Sequence, residues 1–162
     1  AGITLDTKNF AVKTGVRTFE AAAYLRRRGA NTLTVKGMFS DNIETYREKV
    51  DIVCKAHVYR GCAISIAPSG DGDIRLASAQ AADEMLNLKG VDASFVLFED
   101  NNQINISARS YGNVNVQIIM EKLGGGGHQT MAATQLKNTT KELAYQQLLS
   151  EIDNTLDDEE NS

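Results

Sequence analysis

Two neighbouring segments of the chain predict β-strands, and the second of them alternates apolar and polar side chains in the manner of a half-buried strand. The segments DASFVLFE (92–99) and QINISARS (103–110) are separated by a short polar turn, so the pattern predicts a β-hairpin. The second strand should place Ile104, Ile106 and Ala108 on one face and Asn105, Ser107 and Arg109 on the other. Arg109 is therefore expected at the end of a strand, where its guanidinium can leave the sheet.

Other apolar patterns predict the elements around this hairpin. Strands are expected at 62–67, 74–77 and 130–136, and helices at 41–58, 80–88, 113–123 and 141–149. Asn113 or Asn115 is expected to cap the third of these helices, whose free backbone N–H groups would favour an anion. The tail 153–162 is acidic and aperiodic, so it is expected to be disordered.

The start of the chain forms a separate block. The run AGITL (1–5) indicates a buried strand, DTKNF indicates a turn, and the helix that follows has Thr14 or Thr18 as its N-terminal cap and Gly29 at its end. A single strand-turn-helix unit cannot bury both faces of a strand, so we expect this block to belong to a larger domain that continues upstream. The polar stretch 34–41 would connect it to the second block.

The sequence EKLGGGGHQT holds four consecutive glycines followed by His128. A helix needs at most one glycine after its last turn, and each ordered glycine costs about 0.5–1 kcal/mol relative to alanine. Glycines let backbone amides approach a phosphate closely, while Arg109 can pair with a phosphate through two hydrogen bonds and His128 can donate one. The pattern favours a nucleotide or phosphodiester clamp. The alternatives are an extended helix cap with a flexible loop for the glycines, and a solvated strand-end charge for Arg109.

Two motifs resemble one known family. The segment SARS, followed by GGGGH and an Ala-Ala pair, resembles the C-terminal substrate-binding domain of the Asp-His-His (DHH) phosphoesterases, which include RecJ-type exonucleases and nano-RNA phosphatases. The opening AGITLDTKNF resembles the last catalytic motif of the DHH domain itself. The segments TGVRTF, YLRRRGA and GGGGHQTMAATQ are most similar to the membrane-anchored cyclic-di-AMP phosphodiesterases of Gram-positive bacteria. The resemblance covers the chain except its acidic tail.

The resemblance implies an α/β fold, in which a mixed β-sheet flanked by helices spans 39–152 and a strand-turn-helix remnant of the catalytic domain spans 1–38. It implies that Asp6 is a ligand of Mn²⁺, although an isolated Asp is more often a turn or cap residue. Arg109 and Ser110 match the phosphate-binding pair of the family. The substrate loop of the family is matched by Gly124, Gly125, Gly126, Gly127 and His128.

The activity that the resemblance implies is a manganese-dependent phosphodiesterase, which hydrolyses cyclic-di-AMP to the linear dinucleotide. The chain has no Asp-His-His motif and only two histidines, so we expect it to be inactive without an upstream catalytic domain. One alternative is a phosphodiesterase for nano-RNA or short oligonucleotides, and another is a non-catalytic module that binds nucleotides or nucleic acid. A homodimer that completes the first block is a further alternative.

Composition and charge limit the partners and the cellular location that are expected for the chain. The net charge of −4 and the pI near 5.2 argue against a general coat for nucleic acid. Cys54 and Cys62 cannot form a disulfide framework, which favours a reducing, cytoplasmic setting. No apolar run approaches the roughly 18 residues of a membrane helix, so any membrane anchor of the parent is expected elsewhere. The basic run Arg26 to Arg28 and the residue His57 fall late in predicted helices, where a structural role is expected.

Overall fold

The computed structural model describes residues 1–40, 42–68 and 73–160. The chain divides into two compact units, Ala1–Asn42 and Ile43–Ser162. None of the helices in the described part of the chain is long and apolar enough to cross a membrane.

The first unit is entirely helical in its regular structure, with α1 (Gly2–Asp6), α2 (Val16–Arg27) and α3 (Thr32–Gly37). All residues of these three helices are described, and none is buried. The strand predicted at 1–5 is wrong, because Leu5 N–H donates to the Ala1 carbonyl at 3.0 Å and closes a helical turn. A five-residue apolar run does not distinguish a strand from a short helix by its period.

Of the two predicted ends of α2, only the C-terminal end is confirmed. Gly29 has a φ of +98° and follows the last turn, as predicted for a glycine that closes a helix. At the other end the N-cap is Gly15, whose N–H donates to the Thr18 hydroxyl at 3.4 Å. The polar connection predicted at 34–41 is replaced by α3, which begins after Asn31 because the Asn31 side chain accepts from the N–H groups of the first turn.

The second unit has a six-stranded sheet with helices on both faces. Its elements in chain order are α4 (Ile43–Cys54), β1 (His57–Tyr59), β2 (Cys62–Ile66), α5 (Ile74–Met85), β3 (Ala93–Asp100), β4 (Gln103–Ser110), α6 (Val116–Lys122), β5 (Gly126–His128), β6 (Met131–Leu136) and α7 (Lys141–Glu160). The strand order is β1-β2-β3-β4-β6-β5. β2 and β3 are parallel and the other neighbours are antiparallel, so the α/β fold with a mixed sheet is confirmed.

The predicted β-hairpin is confirmed as β3 and β4, with Asp100 opposite Gln103 at its turn. Asn101 and Asn102 occupy that turn with φ values of 51° and 57°, the left-handed conformation that two-residue hairpin turns require. The predicted faces are also confirmed, because Ile104, Ile106 and Ala108 enter one core cluster.

Three predicted elements of this unit are wrong. The strand predicted at 74–77 is the first turn of α5, which begins after Asp73 because that side chain accepts from Leu76 N–H at 3.1 Å. His57 lies in β1, since α4 ends at Cys54. The glycine run is not a loop throughout, because Gly126–His128 form β5. The turn predicted at 68–73 lies largely outside the described residues.

The acidic tail is helical rather than disordered, since α7 continues to Glu160. The apolar spacing of α7 extends past the predicted end, with Leu148 and Ile152 fully buried and Thr155 3% exposed. The tail also has partners at the end of β1 and just beyond it: Tyr59 donates to Asp153, and Arg60 contacts both Asp153 and Asp157 at 3.0 and 2.8 Å. Packing and these ion pairs hold a segment that composition alone marks as disordered.

The sheet separates two hydrophobic clusters. The α6/α7 face carries the larger cluster, which contains Phe95, Leu97, Ile106, Ile119, Met120, Leu148 and Ile152. The α4/α5 face carries the other, which contains Ile52, Ala63, Ala77, Ala81, Met85 and Val96. Two buried hydroxyls join this face to its helices: Ser65 donates to the Ile52 carbonyl and Ser94 to the Ala82 carbonyl, at 2.7 and 2.6 Å. These hydrogen bonds hold α4 against β2 and α5 against β3.

Candidate functional site

Three side chains form one row across β4, β6 and β5. Arg109 is directly opposite Met131, and Met131 is directly opposite His128. Residues that are directly opposite share a face of the sheet, so all three lie on the α4/α5 face. The structure thus places Arg109 and His128 on one face with β6 between their strands, and their membership of one site stays a prediction.

The outer half of this face is exposed among the described residues of the second unit. Along β6, Ala132 and Thr134 are buried towards α6 and α7, whereas Met131, Ala133 and Gln135 are exposed on the other side. His128 is exposed and Gly126 is half-buried. We call this surface the open shelf; it is formed by Gly126, His128, Met131, Ala133 and Gln135. It combines two small residues, Gly126 and Ala133, with three longer side chains, and it lies beside the half of the sheet that α4 and α5 cover.

Arg109 lies at the inner edge of the open shelf and is largely enclosed, with 9% of its surface exposed. One guanidinium nitrogen, Nη1, donates to the Ala108 carbonyl at 2.9 Å. Nε is 3.5 Å from Oδ1 of Asp83 on α5 and is buried without a hydrogen-bond partner among the described residues. A buried, charged donor with hydrogen-bonding capacity left over is suited to an anionic ligand.

The four glycines have different structural roles. Gly124 has a φ of +78°, and the N–H groups of Gly124 and Gly125 donate to the carbonyls of Glu121 and Met120 at 2.9 and 2.8 Å. This pair of hydrogen bonds is the Schellman arrangement that ends α6. The predicted cap is therefore present, and it accounts for the first glycine alone.

Two of the other glycines are required by the contact between β5 and β6. A Cβ on Gly125 would come 2.2 Å from the Ala133 carbonyl oxygen. A Cβ on Gly127 would come 2.5 Å from Ala132 Cα, and the φ of Gly127 is +151°. Gly126 differs, because a Cβ there would meet nothing within 4 Å of the described chain and its φ lies outside the left-handed region. The fold therefore explains every glycine of the run except Gly126, which faces the open shelf.

Ser110 is not brought together with Arg109 and His128. It is 2% exposed and points to the α6/α7 face, because neighbouring residues of a strand point to opposite faces. Its hydroxyl donates to the Gln129 carbonyl at 3.2 Å and accepts from Gly112 N–H at 3.1 Å. These bonds shape the turn after β4, and a phosphate contact by Ser110 stays a prediction.

Asp6 lies in the first unit, at the exposed end of α1. Among the described residues, no group of three or more His, Cys, Asp or Glu side chains is arranged to hold a metal ion. A two-metal centre needs several such ligands, so the described residues do not fit a manganese site by themselves. The metal role of Asp6 stays a prediction.

The predicted cap of α6 is confirmed for Asn115, whose side chain accepts from Gln117 N–H at 3.1 Å. Asn113 instead donates to Asp92 at 2.9 Å. Sequence reasoning missed Asp83 and Met131, which the structure places beside Arg109. Asp83 is one charge within a helical pattern, and Met131 joins the row through a strand register that the pattern does not reveal.

The chain is similar to known proteins over most of its length. Residues 61–158 match the DHHA1 domain. Curated relatives include the Cyclic-di-AMP phosphodiesterase PdeA of Listeria monocytogenes, 48% identical over 94% of this chain, and the Cyclic-di-AMP phosphodiesterase GdpP of Bacillus subtilis, 43% identical over 94% of this chain. The chain spans 24% of the length of each of these two relatives.

A solved structure shares the fold. An exopolyphosphatase-related protein from Bacteroides fragilis superposes with a TM-score of 0.79 and 18% identity, over 96% of this chain and 47% of that one. The DHHA1 match covers more than half of the 162 residues. This chain therefore belongs to the DHHA1 domain family, as the resemblance predicted.

Proposed function

We propose that this chain is the substrate-binding part of a phosphodiesterase that hydrolyses cyclic-di-AMP to the linear dinucleotide. The proposal is supported by the two phosphodiesterase relatives, both named for cyclic-di-AMP. The observation that carries it is the row of Arg109, Met131 and His128 beside an uncovered shelf. This row offers a phosphate the guanidinium of Arg109 and the imidazole of His128 as hydrogen-bond donors.

The proposed contacts follow from the groups in the row. Arg109 supplies guanidinium N–H groups to a phosphate oxygen, and His128 supplies an imidazole N–H from the next strand but one. Gly126, two residues before His128 on β5, lets the ligand approach the backbone beside this row, because glycine has no side chain. Together these contacts fix one phosphate and its nucleotide, so that the other phosphate is held in a defined position for attack.

Hydrolysis is proposed for the intact protein and not for this chain. Manganese would supply Lewis acidity and an activated water, but the described residues do not form a site for it. We propose that Asp6 contributes one ligand and that the remaining ligands come from a catalytic domain. The intact protein is proposed to be anchored in the cell membrane with this part in the cytoplasm, and a homodimer is proposed for it.

A second candidate is a phosphodiesterase for nano-RNA or short oligonucleotides. The position of His128 favours it, because His128 is exposed on β5, the edge strand of the sheet, where a longer chain could continue past the edge. A non-catalytic nucleotide-binding module is the third candidate.

The test is binding and turnover by the purified chain. Isothermal titration with cyclic-di-AMP, with linear adenylyl dinucleotide and with adenylyl oligomers of increasing length should show binding that is strongest for the dinucleotides. Tolerance of longer oligomers would favour the second candidate. Hydrolysis of cyclic-di-AMP by the chain with manganese should be absent. Turnover above that of Asp6→Ala would contradict the proposal that hydrolysis requires metal ligands from a catalytic domain.

A further inference from the structure

Tyr111 follows β4 directly and stands two residues beyond Arg109. It is 45% exposed. Its hydroxyl donates at 3.3 Å to Oδ1 of Asn87, which lies just beyond the end of α5. This contact places the ring on the α4/α5 face, on the side of Arg109 and away from the buried side chain of Ser110.

The backbone around Tyr111 is fixed by the turn that follows. Gly112 has a φ of +112°, its N–H donates to the Ser110 hydroxyl at 3.1 Å, and its carbonyl accepts from the Gln129 side chain at 3.1 Å. The ring of Tyr111 is thus presented from a fixed backbone while its hydroxyl contacts Asn87. A side chain that is already ordered loses little conformational freedom when it contacts a ligand.

Arg109 and His128 offer hydrogen bonds to a phosphate, but a dinucleotide also carries planar bases. Residues two apart along an extended chain are separated by about 7 Å. This separation is comparable to that between the phosphate and the base of one nucleotide. An aromatic ring beside a phosphate site is the usual means of binding a base without reading its identity. Tyr111 is an exposed aromatic side chain two residues from Arg109 along the chain and on the same face, so its ring is a candidate for that contact.

We propose that Tyr111 stacks on one nucleobase of the bound dinucleotide while Arg109 holds the adjoining phosphate. The proposal rests on the proposed function, because it requires a phosphate at Arg109. Stacking uses the π-face that every base has, so Tyr111 sets the affinity for ligands that carry a base and does not distinguish adenine from guanine.

The test is fluorescence titration of the chain with a linear adenylyl dinucleotide in which 2-aminopurine replaces one adenine. Stacking quenches 2-aminopurine, so the wild type should quench the probe. Tyr111→Ala and Tyr111→Leu should weaken binding about 5- to 100-fold and lose the quenching, whereas Tyr111→Phe should retain both. Tyr46→Ala is the matched control, since Tyr46 is an exposed tyrosine on α4.

Ribose 5-phosphate, which has no base, separates stacking from a structural effect. Its affinity, measured by isothermal titration, should be the same for the wild type and Tyr111→Ala and should fall in Arg109→Ala. If Tyr111→Ala weakened the binding of both ligands equally, or if Tyr111→Leu still quenched the probe fully, stacking by Tyr111 would be overturned. The proposed function would not be affected by either result. Failure of the wild type to bind either ligand would overturn the proposed function, and stacking with it.

Discussion

Gly127 lies opposite Ala132 so closely that a methyl group on Gly127 would come 2.5 Å from Ala132 Cα. Gly127→Ala would therefore push β5 away from β6, and it would also strain a backbone with a φ of +151°. We expect the free energy of unfolding to fall by about 1–3 kcal/mol in urea denaturation. Unchanged stability would mean that β5 is not paired as described.

Gly126→Ala is the matched variant in the same strand, and the opposite result is expected. The added methyl meets no atom of the described chain within 4 Å, so stability should change by no more than about 0.5 kcal/mol. The methyl would project onto the open shelf and obstruct a ligand there. Affinity for cyclic-di-AMP, measured by titration, should fall. A loss of stability equal to that of Gly127→Ala would assign Gly126 to the fold instead.

His128→Ala should leave the fold intact, because the side chain is exposed at the end of β5. Removing a hydrogen bond to a charged phosphate weakens binding by about 1.5–3 kcal/mol, or roughly 10- to 100-fold. Titration with cyclic-di-AMP measures the affinity, and thermal unfolding serves as the control. A lowered melting temperature with unchanged affinity would make His128 a structural residue.

Asp83→Asn should strengthen the binding of an anionic ligand. The Asp83 carboxylate lies 3.5 Å from Arg109 Nε, where it competes with a phosphate and repels it. Because Asp83 is partly exposed, the gain in affinity should be modest, about 2- to 5-fold at fixed ionic strength. Glu84→Gln is the control, since it makes the same charge change at the next position of α5. Weaker binding by Asp83→Asn would show that the carboxylate holds Arg109 in its binding position.

Burial raises the pKa of the Cys62 thiol to about 11, from 9.0 for an unburied thiol. The folded state therefore holds this proton more tightly than the unfolded state does. Its contribution to stability is complete below pH 9 and is lost as the pH rises towards 11. The stability of the wild type relative to Cys62→Ala should fall by about 2 kcal/mol over that window. If the difference in stability between the wild type and Cys62→Ala did not change with pH, this prediction would be wrong.

The hairpin of β3 and β4 could be predicted because its alternation and its turn residues agree. Helix α1 could not, because a short apolar run suits either a helix or a strand. The helical tail was not predicted for a different reason. The acidic composition around Asp153 and Asp157 is typical of disorder, and their stabilising partner, Arg60, is distant in the sequence.

The site was predicted as a set of residue types and not as an arrangement. Arg109 and His128 belong to motifs that the sequence displays, so they could be identified. Ser110 was grouped with Arg109 because the two match a pair in the resembled family, and the resemblance does not show that adjacent residues of a strand point to opposite faces. The roles of Gly125 and Gly127 depend on how closely β6 approaches, and only the three-dimensional structure contains that information.

Helix α7, the last element of the second unit along the chain, contacts β1, the first strand of that unit. His57 contacts Tyr145 and Tyr59 contacts Asp153, across separations of 88 and 94 residues. Contacts between residues so far apart form late, because closing a long loop must precede them. During synthesis on the ribosome, β1 can pair with β2 early, but its contacts with α7 must wait for the last helix, and the α6/α7 face of the sheet is covered only in part until α7 has emerged.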